Sequence, residues 1–240
     1  MVGIVTGGSK GIGLAIARAF LDRGMQVTIS ARKDADLEEA ARTLNAGDPS
    51  TALGAGNLHT VRADVRDPAD AQRVVDEAVR RFGGADVLVN NAGIGKFANV
   101  ADMSLDDWRQ IIETNLSGVF HSTRAAIPAM KARGGGFIVN ISSLAGKNPF
   151  AGGAAYCASK AGLNAFSEAL MQELRHDNIR VSYVLPGSVS TGFGDRGSSG
   201  QADWKLAPED VARVVVDLIA HEPRSLPSCV ELRPSRPPKK

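Results

Sequence analysis

Little in this chain points to a disulfide scaffold, a membrane span or a nucleic-acid surface. Its 240 residues include only two cysteines, Cys157 and Cys229, with no CxxC pair. Neither a disulfide framework nor a cysteine metal site is expected. No apolar run approaches the ~20 residues a membrane helix needs. The formal net charge of +2 is too small to imply nucleic acid. The opening Met1-Val2-Gly3-Ile4-Val5-Thr6 reads as a strand and lacks the basic head and apolar stretch of a signal peptide. The expectation is a soluble cytoplasmic domain. His59, His121, His176 and His221 show no ligand spacing, and no metal is expected. Apolar residues, at 43%, are too many for a disordered chain. Glycine is abundant, 26 in all, but has no collagen-like period.

What is present alternates. Short β-rich apolar runs occur at Val2–Thr6, Val27–Ser30, Leu58–Ala63, Asp86–Asn90, Phe137–Ser142, Arg180–Leu185 and Cys229–Leu232. Helical spacing fills Gly13–Arg23, Ala69–Phe82, Leu105–Lys131, Ala155–His176 and Pro208–His221. Val74, Val75, Ala78, Val79 and Phe82 share one helical face. Continuous runs such as Val87-Leu88-Val89 suit strands covered on both sides. The pattern predicts an α/β fold: a single doubly wound, Rossmann-type domain over residues 1–240, with a seven-stranded, mostly parallel sheet and helices on both faces. Ala46–Asn57 and the glycine- and serine-rich Gly187–Lys205 read as mobile loops. Arg233–Lys240 reads as a tail that hangs free or packs on a neighbouring subunit.

Thr6-Gly7-Gly8-Ser9-Lys10-Gly11-Ile12-Gly13 follows the first strand and opens the first helix. Glycines there let the backbone turn sharply and approach a pyrophosphate, whose charge sits on the helix N-terminal amides. The spacing is Gly-x3-Gly-x-Gly, distinct from GxGxxG and from a Walker loop. A tight strand-to-helix turn alone would also use such glycines. An acidic residue at the end of the second strand would favour NAD. Ala31 stands there instead, followed by Arg32 and Lys33. With Lys10, this cationic pair suits a 2′-phosphate. It also reads as an ordinary solvated pair, and Asp34 and Asp36 lie close. NADP(H) is favoured over NAD(H).

Tyr156-Cys157-Ala158-Ser159-Lys160 puts a tyrosine and a lysine on one helical face. A free tyrosine has a pKa of about 10, and a nearby ammonium lowers it, so that the phenol can exchange a proton with an oxygen. A surface lysine beside a packed aromatic gives the same pattern. Ser142-Ser143 ends the fifth strand at the sheet edge where ligands bind in open α/β sheets. A serine there is also a common cap.

Together these motifs resemble the short-chain dehydrogenase/reductase family, in its form of about 250 residues with TGxxxGxG and YxxxK. The likeness runs from Val2 to Leu232. It is carried by Thr6–Gly13, Asp64-Val65, Asn90-Asn91-Ala92-Gly93, Asn115, Ser143, Tyr156 with Lys160, and Pro186-Gly187 followed by Thr191. The resemblance implies Tyr156 as general acid in carbonyl reduction and base in alcohol oxidation. It implies Lys160 as holder of the nicotinamide ribose, and Ser143, not Ser142, as partner of the substrate oxygen. Asn115 would kink a long helix and hold a relay water. The implied cofactor set is Gly7, Ser9, Lys10, Gly11, Ile12, Gly13, Arg32, Asp64, Val65, Asn90, Ala92, Gly93, Tyr156, Lys160, Pro186, Gly187, Val189 and Thr191. Asn91 reads as a structural turn residue.

The implied reaction is hydride transfer between nicotinamide and a carbonyl or secondary alcohol: a ketone, an aldehyde, or a 3-oxoacyl thioester as in a 3-oxoacyl-acyl-carrier-protein reductase. Ile94, Phe97, Leu144, Asn148, Phe150 and Phe193 would line a mainly apolar pocket, with Lys96, Lys147, Arg196 and Lys205 at its rim. Family likeness implies a homo-oligomer, dimer or tetramer. The stretch from Leu226 to Pro234 departs from the usual glycine-rich final turn. Two other functions stay open: a non-redox isomerase or dehydratase on the same scaffold, and a nucleotide-sensing protein without turnover.

Overall fold

The computed structural model describes residues 1–46, 56–193 and 203–238. Seven parallel strands form one sheet: β1 (Val2–Thr6), β2 (Gln26–Ala31), β3 (Leu58–Arg62), β4 (Val87–Asn90), β5 (Gly136–Ile141), β6 (Ile179–Pro186) and β7 (Cys229–Leu232). Their order is β3-β2-β1-β4-β5-β6-β7. Among the described residues seven α-helices connect them: α1 (Gly11–Leu21), α2 (Asp34–Asn45), α3 (Pro68–Phe82), α4 (Leu105–Ile112), α5 (Gly118–Ala132), α6 (Ala154–Leu174) and α7 (Pro208–Ala220).

The apolar strand runs work as expected from period-2 alternation. Val5, Val87, Val89, Phe137, Val139 and Ile141 point to a core shared with α1, α2 and α7. Their neighbours Ile4, Leu88 and Ile138 point to a second core under α3, α5 and α6. Burying each such side chain contributes roughly 1.5–3 kcal/mol, so the strands are held from both faces. Helix ends follow local chemistry. For α3, the Asp67 carboxylate accepts the Ala69 N–H, Pro68 takes the first position, and Gly83 ends the helix at φ 84°.

One expectation is modified. The helix predicted over Leu105–Lys131 is interrupted by a π-turn, Glu113–Ser117, between α4 and α5. Asn115, fully buried in that turn, causes the break by turning its amide onto the chain after β4. The predicted tail also begins differently. Pro234 packs against Gly187 of the same chain, and Arg233 pairs with Glu231. Parts of the expected mobile loops, residues 47–55 and 194–202, and the tail's last two residues lie outside the described residues.

The sheet order reverses between β1 and β4, where Thr6 pairs with Asn90. Loops leaving these two strands diverge to opposite faces and open a crevice, the place where open α/β sheets take ligands.

Candidate active site

The glycine loop lies at one end of this crevice. Gly7 and Gly11 adopt left-handed backbone, φ 63° and 52°, open to glycine at no steric cost. Gly13 has no room for a side chain: a Cβ there would sit 2.3 Å from the Gly7 carbonyl and 2.4 Å from Asn91 Nδ2. Asn91 is the clamp. Its Nδ2 donates to the carbonyls of Thr6 (3.1 Å) and Gly7 (3.0 Å). The Thr6 hydroxyl accepts from the Asn91 and Ala92 amides. Asn90 is buried beneath, donating to Thr123 Oγ1 and Asn140 Oδ1.

Helix α1 carries no side-chain cap and no acid in its first turn. Helices α2, α3, α4 and α7 carry acids there, while α5 and α6, like α1, carry none; of these three, α1 is the one that opens from the glycine loop. The α1 amides are therefore left for an anion, and the positive end of the helix dipole favours one. Ser9 and Lys10 lead into this turn, and Ile12 packs inward on the core. Thr191, after β6, reaches across to Gly11, whose Cβ would meet its methyl group at 3.1 Å. Val189 bridges to Leu206, and Pro186 and Gly187 close β6, with the Gly187 N–H donating to Leu232 O. These features fit a dinucleotide pyrophosphate.

At the second-strand end, Arg32 is exposed and makes no ion pair with a described residue, although its charge reaches Asp64. Lys10 is engaged: its Nζ lies 2.8 Å from Asp36 Oδ1. Of the expected cationic group, Arg32 is thus freer than Lys10 to meet a phosphate, and Lys33 beside it is likewise exposed. Asp64 is gripped by a forked Arg66 guanidinium, Nη2 to Oδ2 2.6 Å. That hydrogen bond holds its carboxyl below the ordinary carboxylate range, against the opposing effect of burial. Val65 lies under α5, where its side chain leaves no room for more than glycine at Gly118.

At the far end of the crevice Ser143 follows β5 and Tyr156 stands in the first turn of α6; the Ser143 hydroxyl accepts the Ala145 N–H at 3.1 Å and lies near enough to Tyr156 to act on its phenol. Ser142 is separated from this site. Its hydroxyl donates to Asn164 Oδ1 inside the structure. Lys160 is only 4% exposed, and its Nζ donates to Ile141 O at 2.8 Å. Burial pushes the Lys160 ammonium down to about 8. The expected lowering of the tyrosine pKa is not seen. Burial pushes the Tyr156 phenol above its ordinary value, and the Ser143 hydroxyl opposes this only in part. The reason is geometric: Lys160 Nζ is directed at the Ile141 carbonyl and stands 6.0 Å from the Tyr156 ring centre.

Asn115 ties these parts together. Its Oδ1 accepts the Ile94 N–H (2.8 Å), and its Nδ2 donates to Ile94 O (2.9 Å) and Ser159 Oγ (3.0 Å). Ser159 in turn donates to the Tyr156 carbonyl. Both amide protons of Asn115 are used in positioning. Gly93 passes above, where a Cβ would lie 3.3 Å from Asn115 Oδ1 and 3.8 Å from Lys160 Nζ. Ser159 and the clamp role of Asn91 carry no signal in the sequence beyond the motifs that contain them.

Among the described residues, two of the four rim cations are ion-paired. Lys96 bonds Asp107, and Lys147 bonds Glu231 at 2.9 Å. Lys205 lies against the Trp204 ring, and Arg196 is outside the described residues. What faces Tyr156 is aromatic, with Phe97 and Phe193 beside its ring.

Comparison with known proteins agrees with this geometry. The family model described as short chain dehydrogenase matches residues 1–201. The chain belongs to the short-chain dehydrogenase/reductase family. Similar members include the trans-4-hydroxycyclohexanecarboxylate dehydrogenase of Sinomonas cyclohexanicum, 40% identical over 79% of this chain and 73% of that protein. The sepiapterin reductase of Chlorobaculum tepidum is 33% identical over 97% and 95%. Among solved structures, the closed form of a serine dehydrogenase complexed with NADP+ superposes with a TM-score of 0.85. It is 32% identical, with 97% of this chain and 94% of that one covered. The fold, the parallel seven-stranded sheet and membership of an oxidoreductase family are thereby shown.

Proposed function

We propose that this family member is an NADP(H)-dependent oxidoreductase acting on a carbonyl or secondary alcohol, with Tyr156 as its general acid/base. The observation that carries the reading is the convergence of Ser143, at the C-terminal edge of β5, with Tyr156 and the buried Lys160 of α6, whose ammonium is anchored on the Ile141 carbonyl at the end of the same strand. The nicotinamide, when bound, supplies or takes the hydride at the carbonyl carbon. Tyr156 gives its proton to the carbonyl oxygen as negative charge develops there, and Ser143 donates a hydrogen bond to the same oxygen. In the reverse direction Tyr156 takes the alcohol proton. A phenol kept above its ordinary pKa by burial is protonated at neutral pH, which suits the reductive direction.

Lys160 and the Gly93 backbone would hold the nicotinamide ribose, the glycine loop and Thr191 the pyrophosphate, Asp64 and Val65 the adenine, and Arg32 a 2′-phosphate. NADP+ in the similar serine dehydrogenase supports this cofactor choice. Asn115 serves as a positioning residue for Ile94 and α6. A homo-oligomer in the cytoplasm accords with the family. The test is oxidation of NADPH and NADH over aldehydes, ketones and 3-oxoacyl thioesters. Tyr156→Phe is expected to lose at least a hundredfold in rate while still binding NADPH. Equal rates for parent and variant would refute the role of the phenol.

A further inference from the structure

The chain is sparing with aromatic residues, at 5% of the total, yet collects them around Tyr156. Three of its eight phenylalanines meet there, each from a different loop: Phe97 after β4, Phe150 after β5 and Phe193 after β6. Phe97 stands edge-on to Tyr156, centroids 5.7 Å apart and planes at 71°. Phe193 flanks the same ring at 5.8 Å, and Phe150 lies against Phe97 at 5.8 Å.

These rings are not core filling. Phe20 and Phe137 in the core are fully buried, whereas Phe150 and Phe193 are 46% and 43% exposed. The backbone makes way for the cluster. A Cβ on Gly95 would lie 2.7 Å from the Phe193 ring and 3.1 Å from the Phe97 ring, and one on Gly153 would lie 2.5 Å from Phe150. Lys96 and Lys147, the nearby rim cations, are neutralised by Asp107 and Glu231, so no unpaired charge from them competes at this wall. One ring edge-on to the reacting phenol and two half-exposed, tilted rings beside it favour a ligand that offers a π-face or ring edge in return.

We propose that the substrate carries an aromatic ring attached to its reacting carbonyl, and that Phe97, Phe150 and Phe193 select it. The inference rests on the carbonyl-reductase reading. A flexible linear acyl chain would fill the same volume without the ring-to-ring geometry and would lose more rotational freedom on binding.

The experiment compares three methyl ketones of eight carbons with NADPH: acetophenone, cyclohexyl methyl ketone and 2-octanone. Acetophenone is expected to show a kcat/KM about tenfold above both others. Phe97→Leu, Phe150→Leu and Phe193→Leu keep apolar bulk and remove the ring. Each is expected to bring the acetophenone to 2-octanone ratio down by about threefold or more, and Phe150→Tyr to keep it. Equal or inverted preference in the parent, or ratios that the leucine variants leave unmoved, would overturn the aromatic assignment while the oxidoreductase stands. Failure to oxidise NADPH with any ketone, aldehyde or thioester, with NADPH still bound, would instead sink the underlying reading and this inference with it.

Discussion

The two ends of the crevice are built from different materials. At the glycine-loop end the wall where a pyrophosphate would lie is backbone: Gly7, Gly11 and Gly13, fixed by the Asn91 amide and the Thr6 hydroxyl, with the exposed Lys10 and Arg32 side chains at its margin. At the Tyr156 end the wall is side chain, and two of its three phenylalanines stand half in solvent. The first end shares its hydrogen bonds with the sheet, since Asn91 joins the chain after β4 to β1. The second hangs on loops that the core does not need. A site made this way can change which substrate it accepts without disturbing the loop that would hold a dinucleotide. The same division predicts where substitutions damage the fold and where they alter only choice.

The largest effect is expected at Gly13. Gly13→Ala puts a methyl group 2.3 Å from the Gly7 carbonyl, so the loop or α1 must move. A loss of several kcal/mol of stability and of NADPH binding is expected, against a change of under about 0.5 kcal/mol for Phe150→Leu on the exposed rim. Thermal melts of the two variants check this, and similar losses in both would break the contrast.

Lys160 sits between the two ends and gives an intermediate effect. Its folded pKa of about 8 lies below the ordinary value of 10.5. Between those values the unfolded chain holds a proton that the folded chain has released. Stability therefore rises with pH through this window, by at most about 1.4 kcal/mol per unit. The cost of burying the cation is fully present below about pH 8. Lys160→Met should lack this rise, so urea melts of parent and variant at pH 7 to 10 should diverge steadily. Parallel curves would place the lysine's titration elsewhere.

The smallest effect on the fold is expected at Arg32, an exposed side chain at the glycine-loop end. Arg32→Asp should leave the melting temperature within a degree or two while weakening NADPH about tenfold and favouring NADH, the scale of one charge-assisted contact. An unchanged cofactor preference would move the 2′-phosphate contact to another residue.

Much of this was legible in the sequence because it is written locally. Strands such as Val87–Asn90 are short apolar runs, and each has its place in the sheet. The glycine spacing and the four-residue Tyr156–Lys160 step need only the geometry of a turn and a helix. What escaped depends on partners distant in the chain. Lys10 meets Asp36, 26 positions on, and Lys147 meets Glu231 across 84 positions, so their availability as ligands could not be read from neighbours. The pKa of Tyr156 moves opposite to expectation because burial and the aim of Lys160 toward Ile141 are properties of the packed site. Asn91, read as a turn residue, holds the glycine loop through bonds to Thr6 and Gly7 some 85 positions earlier.

The π-turn at Glu113–Ser117 makes the spacing of this segment as consequential as its composition. Such a turn holds one residue more than the regular helix around it. Removing any single residue there would let α4 and α5 merge into one uninterrupted rod. The flanking helices would keep nearly their present phase, because the wide turn already absorbs its extra residue, but the bulge itself would be gone. Asn115, if kept, would lose the widened turn that brings its amide onto the Ile94 backbone. A deletion of one residue, sparing every hydroxyl, ammonium and glycine named above, would thus loosen the tie between the chain after β4 and the first turns of α6 while leaving both helices on the sheet.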